Sequence, residues 1–114
     1  LGRKFTDNSS DQAFLDFIRT HDPLQPQVLP VAWVQALERW IPRIESAEAV
    51  GHRPLIIQGQ DDGTVDWQHN IRILESKFAE PDTLYLPTAR HHLANEDLKL
   101  RETYLAWLAP RLGG

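Results

Sequence analysis

The chain has 114 residues, 41% hydrophobic and 25% charged, a composition typical of a single globular domain. Its formal net charge of −4 provides no basic surface for a phosphate backbone, so we expect no nucleic-acid partner. Cysteine is absent, which excludes disulfides and thiolate chemistry, and no apolar run approaches the roughly 20 residues of a membrane-spanning helix, which argues against an integral membrane protein.

Residues 1–50 are predicted to be a helical, proline-rich segment. A first helix is expected to begin at Ser9 or Ser10, because Ser9 and Gln12 have the spacing of a capping box. Three apolar side chains then share one helical face and are the expected packing surface. These are Phe14, Phe17 and Ile18.

A loop and a second helix complete this first segment. The two prolines within residues 21–26 indicate a loop, and the second helix follows Pro30. Its apolar residues recur at i, i+4, i+7 and i+11, which predicts one buried stripe. The stripe consists of Trp33, Leu37, Trp40 and Ile44. Pro42 lies inside this pattern and is expected to kink or break the helix.

Residues 51–114 alternate between strand and helix patterns. The run Pro-Leu-Ile-Ile-Gln is short and apolar, which is typical of a parallel strand buried on both faces. The predicted elements are a strand at 54–58, a helix capped by Asp66, a strand at 83–86 and a helix at 95–109 that Pro110 ends. This order predicts a βαβα unit with parallel strands, and therefore an α/β fold.

Acidic and histidine side chains follow the two predicted strands. Asp61 and Asp62 come after the first strand, and His91 and His92 come after the second. Because ligands bind beyond the carboxyl ends of parallel strands, these side chains are expected to meet at one sheet edge. A carboxylate beside an imidazole orients the ring and stabilises its cation, but catalysis requires a nucleophile at the other ring nitrogen.

The first of these loops has a recognisable spacing. In residues 54–65 an apolar strand leads to Gly59. Two residues lie between Gly59 and Asp62, and two more lie between Asp62 and Val65. This segment resembles the penultimate core strand and acid turn of the α/β-hydrolases, in particular the lysophospholipase and monoacylglycerol-lipase-like branch that includes serine aminopeptidases. The resemblance places the catalytic acid on Asp62 and leaves Asp61 as its neighbour.

The second loop resembles the histidine loop of the same family. In residues 89–96 a histidine stands two positions after Ala89 and five before Glu96, which selects His91 as the catalytic histidine. The Asp-Pro-Leu element at 22–24 also resembles a family segment between cap and acid strand. The implied fold is the C-terminal βαβα portion of a hydrolase sheet, preceded by cap-side helices at 1–50.

The nucleophile of that family is missing from this sequence. Hydrolases of this kind use a serine within Gly-x-Ser-x-Gly, upstream of the acid and the histidine. None of the four serines, at positions 9, 10, 46 and 76, lies between glycines. We therefore expect a C-terminal piece, cut from a longer cytoplasmic hydrolase, that supplies the Asp and His of a Ser-Asp-His triad and is inactive alone. The resemblance implies an ester or lipid substrate and no metal or cofactor.

The small predicted sheet also points to a missing neighbour. Two parallel strands bury little apolar surface by themselves, and an open edge favours association. We expect this edge to pair with the missing N-terminal portion of the hydrolase or with a second copy of the chain. Two alternatives remain: a non-catalytic α/β interaction or dimerisation module, and a flavodoxin-like or regulator-like domain in which Asp61 and Asp62 form an acidic pocket.

Individual site residues also have simpler interpretations. Asp62 precedes a glycine and fits an ordinary turn. His92 and Glu96 have the i, i+4 spacing of helix metal ligands, but Glu96 is interpreted as an acid favoured by the N-terminal dipole of the last helix. The tryptophans are expected to pack in the core or cap, except Trp67, which follows the acid turn closely and is a candidate substrate contact.

Overall fold

The computed structural model of the chain describes residues 6–113. These residues form four α-helices, a one-turn 3₁₀ helix and two strands. In chain order they are α1 (Gln12–Thr20), α2 (Val31–Ser46), β1 (Leu55–Gly59), α3 (Trp67–Lys77), β2 (Asp82–Leu86), the 3₁₀ helix (Leu93–Asn95) and α4 (Leu98–Leu112). The protein is therefore a mixed α/β chain, as the alternating pattern after residue 51 predicts.

Strands β1 and β2 pair in parallel, with α3 as the connection between them. The register runs from Leu55 opposite Asp82 to Gly59 opposite Leu86, so both strands end at the same sheet edge. Helix α3 begins where the sequence predicts, because the Asp66 carboxylate accepts a hydrogen bond from the His69 N–H at 3.0 Å. The βα units thus place the loops after β1 and β2 side by side.

The strands are less buried than their apolar sequences predict. Leu55, Ile56, Ile57 and Leu84 are only half-buried, so the expectation of a strand buried on both faces is wrong for residues 6–113. The reason is that the described sheet has two strands, which cover each other on one edge only. The buried apolar side chains come from several elements and are Leu15, Ile18, Ile71, Leu86 and Ala89.

Helix α1 begins two residues later than a Ser9 cap would place it and one residue later than a Ser10 cap would. The N-cap is Asp11, whose carboxylate accepts from the Phe14 N–H at 3.1 Å, and the predicted Ser9–Gln12 capping box is wrong. Ser9 is fully buried and donates instead to the Asn95 carbonyl at 2.6 Å, so a long-range contact replaces the local cap.

The side chains that α1 buries are only partly the predicted ones. Leu15 and Ile18 are buried, whereas Phe17 is exposed and Phe14 is half-buried with its ring against His92. Periodicity alone gives several neighbouring apolar faces in Phe-Leu-Asp-Phe-Ile, and tertiary packing selects one of them.

Helix α2 follows Pro30 as predicted and continues through Pro42 to Ser46, so of the predicted kink or break at Pro42 the break does not occur. Its apolar stripe is largely exposed, although the spacing predicts burial. The exposed members include Trp33, Leu37, Trp40 and Ile44. A polar contact joins α2 to α3, because Glu45 Oε1 of α2 lies 2.6 Å from His69 Nε2 of α3.

Helix α4 is shifted toward the C-terminus relative to the predicted 95–109. It begins after Asp97, whose carboxylate accepts from the Leu100 N–H at 2.9 Å, and it contains Pro110 rather than ending there. The helix continues only two residues beyond Pro110, and Arg111 Nη1 donates to the Trp107 carbonyl at 2.7 Å in this last turn. Within residues 6–113, the helices lack the combination of length and apolar character required to cross a bilayer.

Candidate functional site

Two loops form the candidate site at the carboxyl edge of the sheet. The acid loop (residues 60–65) follows β1, and the histidine loop (residues 87–92) follows β2. The Gln60 N–H donates to the Leu86 carbonyl at 2.9 Å, and the Asp61 N–H donates to the Ala89 carbonyl at 3.0 Å. These backbone hydrogen bonds hold the two loops against each other.

Asp62 and His91 meet across these loops, although 29 positions separate them. Asp62 Oδ2 lies 2.9 Å from His91 Nδ1, and the side chains are 5% and 34% exposed. The other oxygen, Oδ1, accepts from the N–H groups of Thr64 at 2.8 Å and Val65 at 3.3 Å. One oxygen of the Asp62 carboxylate therefore stabilises the turn, and the other contacts the imidazole.

Asp61 has a different environment from its neighbour. Its side chain is exposed, and its Oδ2 lies 3.3 Å from Arg90 Nε. The two carboxylates thus face separate partners and do not share one acidic pocket. Among residues 6–113, no group of three or more His, Cys, Asp or Glu side chains is arranged to hold a metal ion.

His91 borders a groove of about 820 Å³. Its Nε2 has no hydrogen-bond partner among the described residues. The groove combines a polar end, formed by Thr6, Asn8, Thr64 and His91, with a long apolar wall from the loop after α1 and from α2. That wall consists of Pro26, Val28, Leu29, Pro30, Trp33, Leu37 and, from the acid loop, Val65.

This arrangement favours one tautomer of the neutral His91 imidazole. A carboxylate only accepts hydrogen bonds, so in the neutral ring the proton lies on Nδ1 toward Asp62 and Nε2 carries the lone pair. Nε2 can then take a proton from a nucleophile placed in the groove. The groove hydroxyls are otherwise engaged, because Thr6 and Thr64 both donate to Asn8 Oδ1.

Neither Trp67 nor His92 lines this groove, although the His92 ring lies 5.5 Å from the His91 ring between centroids. The Trp67 ring packs against Tyr85 of β2 at 6.2 Å between centroids, and Trp67 is not among the residues lining the groove. Its role in substrate binding stays a prediction. The His92 ring packs edge-on against Phe14 at 6.0 Å, and its N–H donates to the Asn8 carbonyl at 2.7 Å.

Glu96 lies beside the N-terminus of α4, as its sequence position suggests, but its carboxylate is also buried and has specific hydrogen-bond donors. It lies before the N-cap of α4 and is 1% exposed, with Oε1 accepting from the Arg90 N–H at 2.7 Å and Oε2 accepting from the Ser10 N–H at 2.9 Å. The Ser10 hydroxyl also donates to Oε2. A buried carboxylate needs such donors, and the histidine loop supplies one of them.

Sequence reasoning missed a third segment of the site. Residues 6–10, called the brace segment here, run beside both loops: Arg90 Nη1 donates to the Ser9 carbonyl at 3.2 Å, and Thr64 donates to Asn8. Asn8 and Ser9 are buried although both are polar. A polar Asn-Ser-Ser run shows neither helical nor strand periodicity, so the sequence contains no signal that would place it against the site.

Comparisons with known proteins provide no relative from which to assign this arrangement. No protein-family model, no curated protein and no solved structure matches the chain significantly.

Proposed function

We propose that this chain supplies the acid and the histidine of a serine hydrolase that acts on carboxylic esters, as the C-terminal βαβα portion of an α/β-hydrolase. Asp62 would be the triad acid and His91 the general base. The observation that carries the proposal is the 2.9 Å contact between Asp62 Oδ2 and His91 Nδ1, with Nε2 unpartnered among the described residues and a groove beside the ring.

The placement of this pair supports the proposal over an ordinary turn aspartate. A turn alone requires only the bonds from Thr64 and Val65 to Oδ1, whereas the second oxygen contacts an imidazole from another loop. Such a carboxylate fixes the ring orientation and stabilises the imidazolium that forms during acyl transfer.

The proposed reaction follows from the two ring nitrogens of His91. Nε2 takes the proton of a serine hydroxyl as that oxygen attacks the ester carbonyl carbon, and the imidazolium then gives the proton to the departing alcohol. Water attacks the acyl-enzyme in the same way, which releases the carboxylic acid and restores the serine. Asp62 stays ionised throughout and stabilises the charged ring.

The nucleophile must come from a polypeptide segment outside residues 1–114, since the sequence contains no Gly-x-Ser-x-Gly. The half-buried strands and the exposed stripe of α2 support this proposal, because both leave apolar surface for a further part of a core. The segment that provides the serine would also provide the oxyanion hole.

The groove supports an ester with an apolar chain as the substrate class. Its polar end lies at His91, Asn8 and Thr64, and its apolar wall extends along Trp33 and Leu37 of α2. An acyl glycerol or a lysophospholipid has this distribution of polar and apolar groups. We therefore propose lipid-derived esters, in the manner of monoacylglycerol lipases and lysophospholipases.

The decisive experiment compares this chain with an extended polypeptide, defined as the product of the reading frame from upstream of Leu1 through Gly114. We expect a fluorophosphonate probe to label a serine in the extended polypeptide and nothing in the 114-residue chain. His91→Ala should abolish labelling, whereas His52→Ala, at an exposed position before β1, should not. Labelling of the short chain, or equal labelling of the His91→Ala variant, would contradict the proposal.

The exposed stripe on α2 also favours a second function, a non-catalytic interaction module. Trp40 is 58% exposed, and Arg43 lies over its ring at 5.5 Å. Light scattering of the 114-residue chain and of Trp40→Gln tests this alternative. A stable dimer that Trp40→Gln dissociates, together with an upstream frame that lacks the serine motif, would favour the module.

A further inference from the structure

Glu96 is the most deeply buried ionisable side chain near the site, and the proposed chemistry gives it no role. Its side chain is 1% exposed, yet both oxygens have donors. Oε1 accepts from the N–H of Arg90, the residue before His91, at 2.7 Å. Oε2 accepts from both the N–H and the hydroxyl of Ser10. One carboxylate therefore joins the histidine loop to the brace segment.

The brace segment in turn contacts the acid loop. Asn8 Oδ1 accepts from the Thr64 hydroxyl, and the Thr64 N–H donates to Asp62 Oδ1 at 2.8 Å. On its other side, the Asn8 carbonyl accepts from the His92 N–H at 2.7 Å. The segment thus hydrogen-bonds to Thr64, two residues after Asp62, and to His92, the residue after His91.

We infer that Glu96 is a positioning residue for His91. Glu96 connects the Arg90 N–H to the brace segment and thereby orients the His91 imidazole toward Asp62. This inference rests on the proposed function for its catalytic meaning, but the orientation itself is a property of the 114-residue chain. Glu96 does not touch the imidazole, and it acts through the backbone of its neighbour.

The chemistry of the three donors explains why a carboxylate is required. Arg90 and Ser10 present N–H groups, and Ser10 adds a hydroxyl that also points to Oε2. Glutamine offers one accepting oxygen and one donating NH₂, so one of the two N–H groups would face another donor. Glu96→Gln therefore keeps the volume of the side chain and removes half of the connection.

The experiment uses ¹⁵N-labelled 114-residue chain and reads the His91 ring by nuclear magnetic resonance. In the unsubstituted chain we expect a protected Nδ1–H signal, assigned by its loss in His91→Ala. Glu96→Gln should broaden or remove that signal and speed hydrogen exchange at the Arg90 amide. Glu102→Gln, at an exposed glutamate of α4, is the matched control and should leave both unchanged.

Ser10→Ala provides a second variant that keeps Glu96 and the Ser10 N–H and removes the hydroxyl, which donates to Glu96 Oε2 and also lies 3.2 Å from Asp97 Oδ2. We expect it to weaken the Nδ1–H signal and to speed Arg90 exchange less than Glu96→Gln does. An unchanged His91 signal in folded Glu96→Gln would overturn the inference. If Glu96→Gln does not fold, an unchanged signal in Ser10→Ala would overturn it.

An activity measurement separates this inference from the proposed function. In the extended polypeptide, Glu96→Gln should lower kcat on the order of 10²-fold with little change in KM, because displacement of a catalytic group acts on the chemical step. An extended polypeptide without esterase activity would refute the proposed function and leave the ring measurement valid. Normal kcat in Glu96→Gln would refute the positioning role alone.

Discussion

The two sides of the groove are built differently. At the carboxyl edge of the sheet, both oxygens of each buried carboxylate have polar contacts: Asp62 contacts Thr64, Val65 and His91, and Glu96 accepts from Arg90 and from two groups of Ser10. Along α2, apolar groups are exposed, with Trp33 and Trp40 each more than half accessible. The first side consists of buried polar groups with partners, whereas the second leaves its apolar side chains exposed within residues 6–113.

This difference shows which part of the candidate site forms from neighbouring loops and which part requires a further packing surface. Loops after neighbouring strands bring acid and imidazole together, and backbone hydrogen bonds at the ends of β1 and β2 hold these loops against each other. Burying an apolar helix face requires a further surface, and the described residues provide little for α2. We therefore interpret the Asp62–His91 edge as already arranged within the chain, and the apolar face of α2 as a surface that a further polypeptide segment would cover.

The largest expected effect separates Asp62 from the adjacent Asp61. In the extended polypeptide, Asp62→Asn should lower kcat/KM on the order of 10⁴-fold, because the amide favours the wrong imidazole tautomer. Asp61→Asn loses only an exposed ion pair with Arg90 and should change kcat/KM by a few-fold at most. Ester hydrolysis assays on both variants test this, and equal effects would show that the Asp62 contact has no catalytic role.

Leucines on α1 and α2 test the second half of the comparison. Leu15 is 2% exposed, so Leu15→Ala should lower the free energy of unfolding by about 2–5 kcal/mol. Leu37 is 40% exposed, and Leu37→Ala should cost about 1 kcal/mol or less in the 114-residue chain. Urea denaturation measures both values. A larger cost at Leu37 would mean that α2 is already packed.

Glycines in and beside the acid loop sharpen the first half. A Cβ at Gly59 would lie 2.6 Å from the Arg90 carbonyl oxygen, so Gly59→Ala should destabilise the fold by about 1–3 kcal/mol and move the histidine loop. At Gly63 a Cβ would meet nothing within 4 Å, and Gly63→Ala should stay within about 0.5 kcal/mol. Thermal denaturation that ranks the two variants in reverse would show that the loops are not in close contact.

Much of the fold after residue 51 is predictable because its signals are local. The apolar run before Gly59, the Asp66 cap and the second strand before Pro87 each determine an element without reference to the rest of the chain. The proximity of Asp62 and His91 then follows from topology, since parallel neighbours end at one edge.

The contacts of the brace segment are not predictable in this way. Ser9 has the local spacing of a helix cap, yet its hydroxyl bonds to Asn95, 86 positions away. Glu96 likewise has the appearance of a helix-terminal acid, and its burial depends on Ser10 from the other end of the chain. Propensity describes neighbours in sequence, and tertiary hydrogen bonds override it here.

The most direct test is a crystal structure of the extended polypeptide. We predict that a serine Oγ lies within about 3 Å of His91 Nε2, at the polar end of the groove beside Asn8. The Asp62–His91 contact should be retained at the other ring nitrogen. A structure in which Nε2 is covered by apolar side chains, with no hydroxyl within reach, would contradict the assignment of this pair to a catalytic triad.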